Sequence, residues 1–273
     1  MYSKTPQTNV ASIDVVTRTD KRSGRGLKVI TSPPIKTVAQ QLGLPVHQID
    51  TFRGWSPPEY GSENPYINLV VAVSFGLLIP RRILNLARYG GLNVHPSMLP
   101  DLPGAAPLQW TIIHGRQTTG VTVQTLHPSK FDQGVILDQT PSPGLTIPDP
   151  DHITTKELLT LLAPVGAEML VNAIRNKLYI PPYESLPRRE NGTNLATAPK
   201  ITSEMRTINF AKHSDSEILG RNRAIGPLHA FATRDGLSGD AVRLKLSTDM
   251  CGRTLCDLAK KWGSSGKRPT ING

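Results

Sequence analysis

The chain has 273 residues, a hydrophobic content of 38% and a formal net charge of +10 at pH 7. This size fits one large domain or two modest ones, and the longest apolar run (67–83) is too short and too interrupted to span a bilayer. The charge suits a polyanionic partner, which we expect to be RNA; the alternative is a soluble protein from a compartment where basic proteins are common.

The cysteine and histidine content predicts neither disulfides nor a metal. The two cysteines, Cys251 and Cys256, make no disulfide framework and no metal quartet, and the seven histidines show no ligand spacing. Residues 1–11 lack the apolar core of a signal peptide and the Arg-rich amphipathic helix of a transit peptide. We therefore expect a reducing compartment.

The first half of the chain alternates short strands with helices, which predicts an α/β fold with a mostly parallel sheet. A basic, Gly-rich loop is expected at residues 20–28. The strands are expected at residues 13–17, 45–49 and 69–74, and the helices at residues 35–42 and 81–89, the second closed by Gly90 and Gly91.

The second half begins with a helix at 106–114 and a hairpin of 120–126 with 135–139. A long amphipathic helical region at 154–176 is expected to be interrupted at Pro164. A Pro-rich linker follows, and the region from Lys200 onward, which carries an excess of Lys and Arg, begins a second domain.

A doubly wound domain normally opens with a buried strand, a Gly-rich turn and a helix. The chain has no room for these elements before its first strand-like segment at 13–17. We therefore expect the first β–α unit to be missing, which would leave neighbouring backbone groups without partners.

Three polar side chains mark the end of the central strands. Asn93 and His95 alternate on an extended segment, so both side chains leave the same face of a strand. Asp132 follows the strand at 120–126. Each residue alone has an ordinary structural interpretation as a turn former or a hydrogen-bonded residue. Polar groups at a strand end beside a Pro-bounded loop are, however, typical of the place where α/β proteins carry out chemistry.

Five blocks occur in a fixed order along the chain: an apolar strand, an Asn-x-His-Pro-Ser-x-Leu-Pro segment, Gly-Ala-Ala-Pro, Thr-Gly-Val-Thr and Asp-x-Gly. They occupy residues 70–80, 93–100, 104–107, 119–122 and 132–134. This order resembles the N10-formyltetrahydrofolate-dependent formyltransferases, and most of all the methionyl-tRNA formyltransferases among them. The resemblance is dense between Val70 and Asp138 and sparse after Pro181.

The resemblance implies a Rossmann-like formyltransferase domain and a smaller C-terminal β-barrel-like domain of OB type, whose completeness the sequence leaves open. The expected boundaries are 1–178 for the N-terminally truncated catalytic domain, 179–199 for the linker and 200–273 for a tRNA-binding domain. The implied activity is transfer of a formyl group from 10-formyltetrahydrofolate to the amino group of methionyl-initiator-tRNA, without a metal.

The resemblance also assigns roles in acyl transfer. Asn93 and His95 would donate to the formyl oxygen as it gains negative charge, and Asp132 would orient His95 and help take the amine proton. One such donor is typically worth about 3 kcal/mol. Pro103 stands where the family has an Arg, which removes a cation and a backbone donor.

Two further sets of residues are implied to bind substrates. The folate co-substrate would contact an apolar wall and a Pro-bounded loop, formed by Phe75, Gly76, Leu77, Leu78, Ser97, Met98, Leu99 and Pro100. The alternative for Leu77 and Leu78 is that they are simply core. The basic loop would hold the acceptor end of the tRNA through Arg18, Lys21, Arg22, Arg25 and Lys28; its alternative is an ordinary mobile surface loop.

Two other functions stay open: a formyl-folate enzyme acting on a small amine, and a non-catalytic RNA-binding descendant. The net charge argues against the first, whereas Pro103 and the expected loss of the first β–α unit favour the second. We expect a monomer with no membrane partner, located in the mitochondrial matrix or, as the alternative, in a bacterial cytoplasm.

Overall fold

The structure is a computed structural model that describes residues 10–59, 67–187, 195–210 and 212–232, together with the backbone of 242–246; the side chain of Arg25 is not described. Cys251, Cys256, residues 1–9 and the middle of the expected linker lie outside this part. The chain divides into two compact units. The first contains Met1–Val94, Val123–Asp138 and Glu168–Leu186, and the second contains His95–Thr122, Gln139–Ala167 and Pro187–Gly273.

The strands are short, and those in the regions 13–17, 45–49, 69–74, 120–126 and 135–139 lie close to their predicted positions. In chain order they are β1 (Val15–Thr17), β2 (Lys21–Ser23), β3 (Val29–Thr31), β4 (Val46–Gln48), β5 (Val70–Val73), β6 (Gly91–His95), β7 (Thr118–Thr119), β8 (Thr122–Thr125), β9 (Ile136–Gln139), β10 (Leu145–Thr146), β11 (Leu228–Ala232) and β12 (Val242–Leu246).

Besides short 3-10 helices at Arg25–Leu27 and Glu204–Arg206, the described residues form five α-helices. They are α1 (Pro34–Gln41), α2 (Arg81–Leu84), α3 (Pro107–Ile113), α4 (Thr155–Arg175) and α5 (Asp215–Ile225). Both α1 and α3 begin with a proline at the first turn, where the missing N–H would have no partner in any case.

Strand β1 pairs with β4 in parallel, with Val15 opposite Val46, and β5 pairs with β6 in parallel, with Val70 opposite Gly91. The larger sheet has the order β5-β6-β8-β9. Thr125 N donates to the carbonyl of Val135 at 2.9 Å, so β8 and β9 form the predicted hairpin.

An apolar cluster lies beside β5. Its buried members are Ala72, Ile79, Ile83 and Leu84, against which Phe52, Trp55, Val70 and Leu126 pack. The buried members come from β5, from the loop that follows it and from α2. Phe52 and Leu126 reach the cluster from segments well before and well after these elements. This cluster holds the apolar strand against the rest of the first unit by removing its side chains from water.

The loop predicted at residues 20–28 is only partly a loop, because residues 21–23 form a strand. Strands β2 and β3 form an antiparallel hairpin, with Lys21 opposite Thr31, and a short 3-10 turn at Arg25–Leu27 joins them. Gly24 and Gly26 adopt φ values of 75° and 72°, which are open to glycine at little cost. Strand β2 was not predicted because its residues are polar and exposed or half-buried, so it has no alternation of apolar and polar side chains.

The predicted helix at 81–89 is also shorter than expected. After Asn85 the backbone bonds shift to the tighter spacing, with Leu86 N donating to Ile83 O and Ala87 N to Leu84 O. Tyr89 N instead donates to Asn68 O at 2.9 Å. The helix ends early because the chain must turn to begin β6 beside β5.

Helix α4 runs without a break through Pro164, so the predicted interruption was wrong. Pro164 is exposed, and the carbonyl group that it leaves without a donor can bind water. Thr154 and Glu157 form a reciprocal cap at the helix start, with Thr154 N donating to Glu157 Oε2 at 2.8 Å.

Helix α4 is long enough and apolar enough to cross a membrane if only length and composition are considered, with a mean hydropathy of 1.4. Its buried residues Leu158, Leu162 and Ala173 recur on one face, as in the core-facing helices of globular proteins.

In the second unit, α3 packs against α5. Helix α5 starts with a capping box between Ser214 and Glu217, and strands β11 and β12 pair antiparallel. Residues 242–247 alternate apolar and polar side chains, a pattern typical of a strand, and β12 lies there.

Candidate active site

The site residues of the first unit meet at the C-terminal part of β6. Asn93 is half-buried there, and its Nδ2 donates a hydrogen bond to Asp132 Oδ1 at 3.3 Å. The two residues are 39 positions apart in the chain. The amide and the carboxylate that the sequence singled out are thus brought together by strand pairing.

The loop between β8 and β9 presents Asp132 in a constrained conformation. Asp132 has φ of 53°, in the left-handed region that Asp and Asn tolerate better than most residues. Two residues later Gly134 lies so close to β8 that a Cβ atom there would be 1.7 Å from Thr125 O. The glycine lets the loop lie directly on the strand, and this contact places the aspartate beside β6.

Gln124, in the middle of β8, is a member of the site that sequence reasoning missed. Its Nε2 donates to the same Asp132 Oδ1 at 3.1 Å, and the residue is only 1% exposed. Its Oε1 is buried without a hydrogen-bond partner. The available signal was a long amide side chain inside an apolar strand, since buried polar residues are more informative than exposed apolar ones.

His95 ends β6 and is 4% exposed. Its Nε2 lies 3.0 Å from the carbonyl oxygen of Leu102. A carbonyl can only accept, so Nε2 carries the proton and donates to Leu102, which fixes the ring orientation and the tautomer. Any donation from Nδ1 at the same time requires the doubly protonated ring.

The loop at residues 97–100 is built around buried polar contacts. Ser97 is 2% exposed, and its Oγ donates to Asp101 O at 2.7 Å. Thr122 Oγ1 donates to Ser97 O at 2.7 Å and accepts from Leu99 N at 3.1 Å. Gln139 Nε2 donates to Leu99 O at 2.8 Å. The hydroxyl of Ser97 therefore serves the loop itself.

Met98 and Pro100 are the half-buried residues of this loop, whereas Leu99 is buried. Met98 packs against Gly120 and Gly144, where a Cβ atom would come within 2.7 Å and 2.6 Å of its side chain. The two glycines make room for the methionine, so its position depends on the absence of side chains there.

The segment after β5 is more open. Gly76 is exposed with φ of 76°, Leu78 is 38% exposed and Leu77 is half-buried. Phe75 is half-buried and contacts Phe52 edge to face at 5.7 Å. Leu77 and Leu78 thus offer apolar surface that a flat ligand could cover.

Residues 195–199 hold the loop that contains Pro103. Ala198 N donates to Pro103 O at 2.8 Å, and Ala106 N donates to Ala198 O at 3.1 Å. A Cβ atom on Gly104 would lie 2.3 Å from Ala198 O, so the close approach requires glycine. Asp101 Oδ1 accepts from Arg116 and from Ala196 N, both at 3.0 Å. The loop is therefore anchored by backbone bonds and an ion pair.

The expected RNA-contacting cations differ in their surroundings. Arg18 donates to Asp50 O at 2.9 Å and forms an ion pair with the carboxylate of Asp50 at 3.1 Å. Lys21, Arg22 and Lys28 are exposed on the hairpin. A hydrogen bond from Thr19 and the charge of Arg18 lower the pKa of Asp50, so this carboxylate stays ionised.

A cavity of about 380 Å³ lies at the opposite end of β6. Its lining includes Arg88, Tyr89, His127, Gln133 and Tyr183. Among the described residues, no three His, Cys, Asp or Glu side chains are grouped in a way that would hold a metal ion.

Residues 1–173 match the family model described as "Formyl transferase". The chain is 34% identical over 260 residues to the mitochondrial methionyl-tRNA formyltransferase of Saccharomyces cerevisiae, covering 85% of this chain and 64% of that protein. It is 33% identical to the methionyl-tRNA formyltransferase of Acidobacterium capsulatum (78% and 65% covered) and 35% identical to the human mitochondrial one (76% and 50% covered). The chain thus spans less than two thirds of the length of these relatives.

Two solved structures share the fold. A 4-N formyltransferase from Francisella tularensis superposes with a TM-score of 0.53 at 16% identity, covering 78% of this chain and 83% of that one. A sugar N-formyltransferase from a Shewanella species gives 0.50 at 19% identity, covering 80% and 82%. The chain belongs to the formyl transferase family and has its Rossmann-like α/β fold with a mostly parallel sheet, which confirms the family and the catalytic fold predicted from the five blocks.

Proposed function

We propose that the protein transfers the formyl group of 10-formyltetrahydrofolate to the amino group of methionyl-initiator-tRNA. The observation that carries the proposal is the hydrogen bond between Asn93 and Asp132, which joins an amide donor to a carboxylate beside the end of β6. The similarity to methionyl-tRNA formyltransferases, which extends beyond the family model into the C-terminal part, supports this substrate over a small amine.

The proposed chemistry starts with attack of the methionyl amine on the formyl carbon. An amide nitrogen carries two N–H donors, so Asn93 can hold Asp132 with one and donate to the formyl oxygen with the other. Asp132 accepts the proton that the attacking amine loses, directly or through water. The bond between the formyl carbon and N10 of the folate then breaks, the proton passes to N10, and tetrahydrofolate leaves. His95 contributes a second donor to the oxygen when its ring is doubly protonated, since its Nε2 is engaged with Leu102.

Two segments are proposed to bind the folate. The exposed apolar surface of Leu77 and Leu78 suits the flat pterin ring. Met98 and Pro100 supply further contact area from a loop whose backbone is fixed by Thr122 and Gln139. Ser97 and Leu99, being buried, would act by shaping this loop rather than by touching the ligand.

The tRNA is proposed to contact the basic hairpin and the C-terminal part. Lys21, Arg22 and Lys28 are exposed, so their charged groups can reach RNA phosphates. Contacts of this kind hold the RNA without reading its base sequence. We propose the boundaries 1–178, 179–199 and 200–273 for the catalytic domain, linker and C-terminal tRNA-binding domain. An OB-type barrel for the last is a proposal that the antiparallel pair β11–β12 supports.

The proposed location is the mitochondrial matrix, which the yeast and human relatives support, with a bacterial cytoplasm as the alternative. A monomer is proposed as the working state.

The test is a formyl-transfer assay with purified protein, 10-formyltetrahydrofolate and methionyl-initiator-tRNA. We expect formylation of the charged tRNA and none of free methionine. Equal activity on both would identify a small-amine enzyme instead. Binding of tRNA without any transfer, and without a rise in melting temperature on adding a folate analogue, would identify a non-catalytic RNA-binding protein.

A further inference from the structure

We infer that Gln124 is a positioning residue for Asp132, an inference that rests on the proposed formyl transfer. The observation is geometric: Asn93 Nδ2 and Gln124 Nε2 converge on the same oxygen, Asp132 Oδ1, at 3.3 Å and 3.1 Å. The two donors come from neighbouring strands, β6 and β8. Together they fix both the position of the carboxylate and the rotation of its plane.

The surroundings of Gln124 argue against a role in stability alone. The residue is 1% exposed inside β8, between Val123, which is fully buried, and Thr125. Its Oε1 is buried without a hydrogen-bond partner, which is a destabilising feature. An apolar side chain of the same length would avoid that cost. What only the glutamine supplies at this place is the N–H donor aimed at Asp132.

Asp132 lies in a loop between two strands, so hydrogen bonds from the sheet help to hold its carboxylate in place. The residue lies in a loop, at φ of 53°, and its side chain must reach toward β6. A proton acceptor held at a fixed point and angle is more effective than one that moves among rotamers. Gln124 is built into the strand and buried, so it can hold the carboxylate from the sheet side while Asn93 also serves the substrate.

The consequence is a specific kinetic pattern. Replacement of Gln124 by methionine keeps the length and volume of the side chain and removes the donor. We expect kcat for methionyl-tRNA to fall by about tenfold to a hundredfold, as is typical for a lost hydrogen bond to a charged group. KM for both substrates should stay within about twofold, and the melting temperature should be unchanged or higher because an unpartnered buried oxygen is removed. Gln124→Leu is the second variant, in case methionine packs poorly.

A double-mutant cycle separates positioning from independent action. In the background of Asp132→Asn, which removes the proton acceptor, Gln124→Met should have little further effect on kcat. Losses that multiply would overturn the inference, because Gln124 would then act without Asp132. A full kcat in folded Gln124→Met and Gln124→Leu would overturn it as well.

A measurement that does not depend on activity tests the contact between Gln124 and Asp132 separately from the proposed formyl transfer. In the full chain, the side-chain NH2 resonances of Gln124, assigned by their loss in Gln124→Met, should shift in Asp132→Asn. An unchanged position would show that the contact is absent and would overturn the inference even in an active enzyme. A wild-type protein that transfers no formyl group would instead overturn the proposed function and with it the catalytic use of the contact, whatever the NH2 resonances show.

Discussion

The polar centre of the first unit (Asn93, Gln124 and Asp132) and its basic hairpin (Lys21–Thr31) use polar residues in opposite ways. In the polar centre, side chains from two strands and a loop converge on one oxygen, and Gln124 is almost fully buried. On the hairpin, Lys21 and Arg22 are exposed. A buried hydrogen bond fixes geometry, whereas an exposed charge mainly attracts a partner at long range and is screened by salt.

The comparison predicts that the polar centre is sensitive to single atoms and that the hairpin is sensitive to net charge.

The largest expected loss of activity follows removal of the proton acceptor, Asp132. Asp132→Asn keeps the shape of the side chain, and we expect kcat to fall by about a hundredfold to a thousandfold, with a similar loss in Asn93→Ala. The melting temperature should change little, because neither residue is part of the apolar core. Single-turnover kinetics on methionyl-tRNA provides the measurement, and near-normal turnover in either variant would remove that residue from the mechanism.

The contact between the Asp132 loop and β8 can be broken sterically. In Gly134→Ala the new Cβ atom would meet Thr125 O at 1.7 Å, so the loop must move away from the strand. We expect a loss of about 2–4 kcal/mol in the free energy of unfolding, together with a loss of activity in the folded fraction.

The matched control is Gly220→Ala in α5, where the nearest atom, Ile112 O, lies at an ordinary 3.6 Å. Alanine should be neutral or stabilise there by up to about 1 kcal/mol, because it is the better helix former. Urea unfolding of both variants provides the comparison, and equal stability would contradict the assigned role of Gly134.

The hairpin should respond to charge. We expect Lys21→Gln with Arg22→Gln to lower kcat/KM for methionyl-tRNA by about tenfold at low salt, and to flatten the salt dependence, because fewer counterions are released. Lys156→Gln with Lys177→Gln, two exposed lysines in and just after α4, is the control with the same change of charge and should leave both unchanged. An unaltered salt slope in the hairpin variant would exclude it from tRNA binding.

The smallest expected effect concerns pH and stability. Partial desolvation, with the charge of Arg116, lowers the pKa of His114 below its ordinary value of 6.5. The unfolded chain therefore binds a proton there more readily, so stability is lost as the pH falls below 6.5. Thermal unfolding from pH 7.5 to 5 should show a shallower decline in His114→Phe, which keeps the ring beside Trp110. An identical slope would contradict this assignment.

Local patterns determined much of the fold. Periodicity and turn residues in a few neighbouring positions were enough to predict several elements. These are the helices α1 and α3, which begin with proline, the strands β5 and β6 and the hairpin of β8 with β9. The alternation of Asn93 and His95 on one strand is also local. The five ordered blocks were sufficient to predict the family, which the match over residues 1–173 confirms.

The pairing of the polar groups could not be predicted from the sequence and became known from the tertiary structure. Three contacts join residues far apart in the chain: the bond of Asn93 to Asp132, the ion pair of Arg18 with Asp50 and the bonds of Ala198 to Pro103 and Ala106. The first of them also brings Asn93 beside Gln124 on the same oxygen. No short-range pattern encodes such contacts, because they arise only when strands and loops have packed. The early end of α2 has the same origin, because Tyr89 N pairs with Asn68 O instead of continuing the helix. The hairpin of β2 with β3 is local, and its polar composition is the reason that it was not predicted.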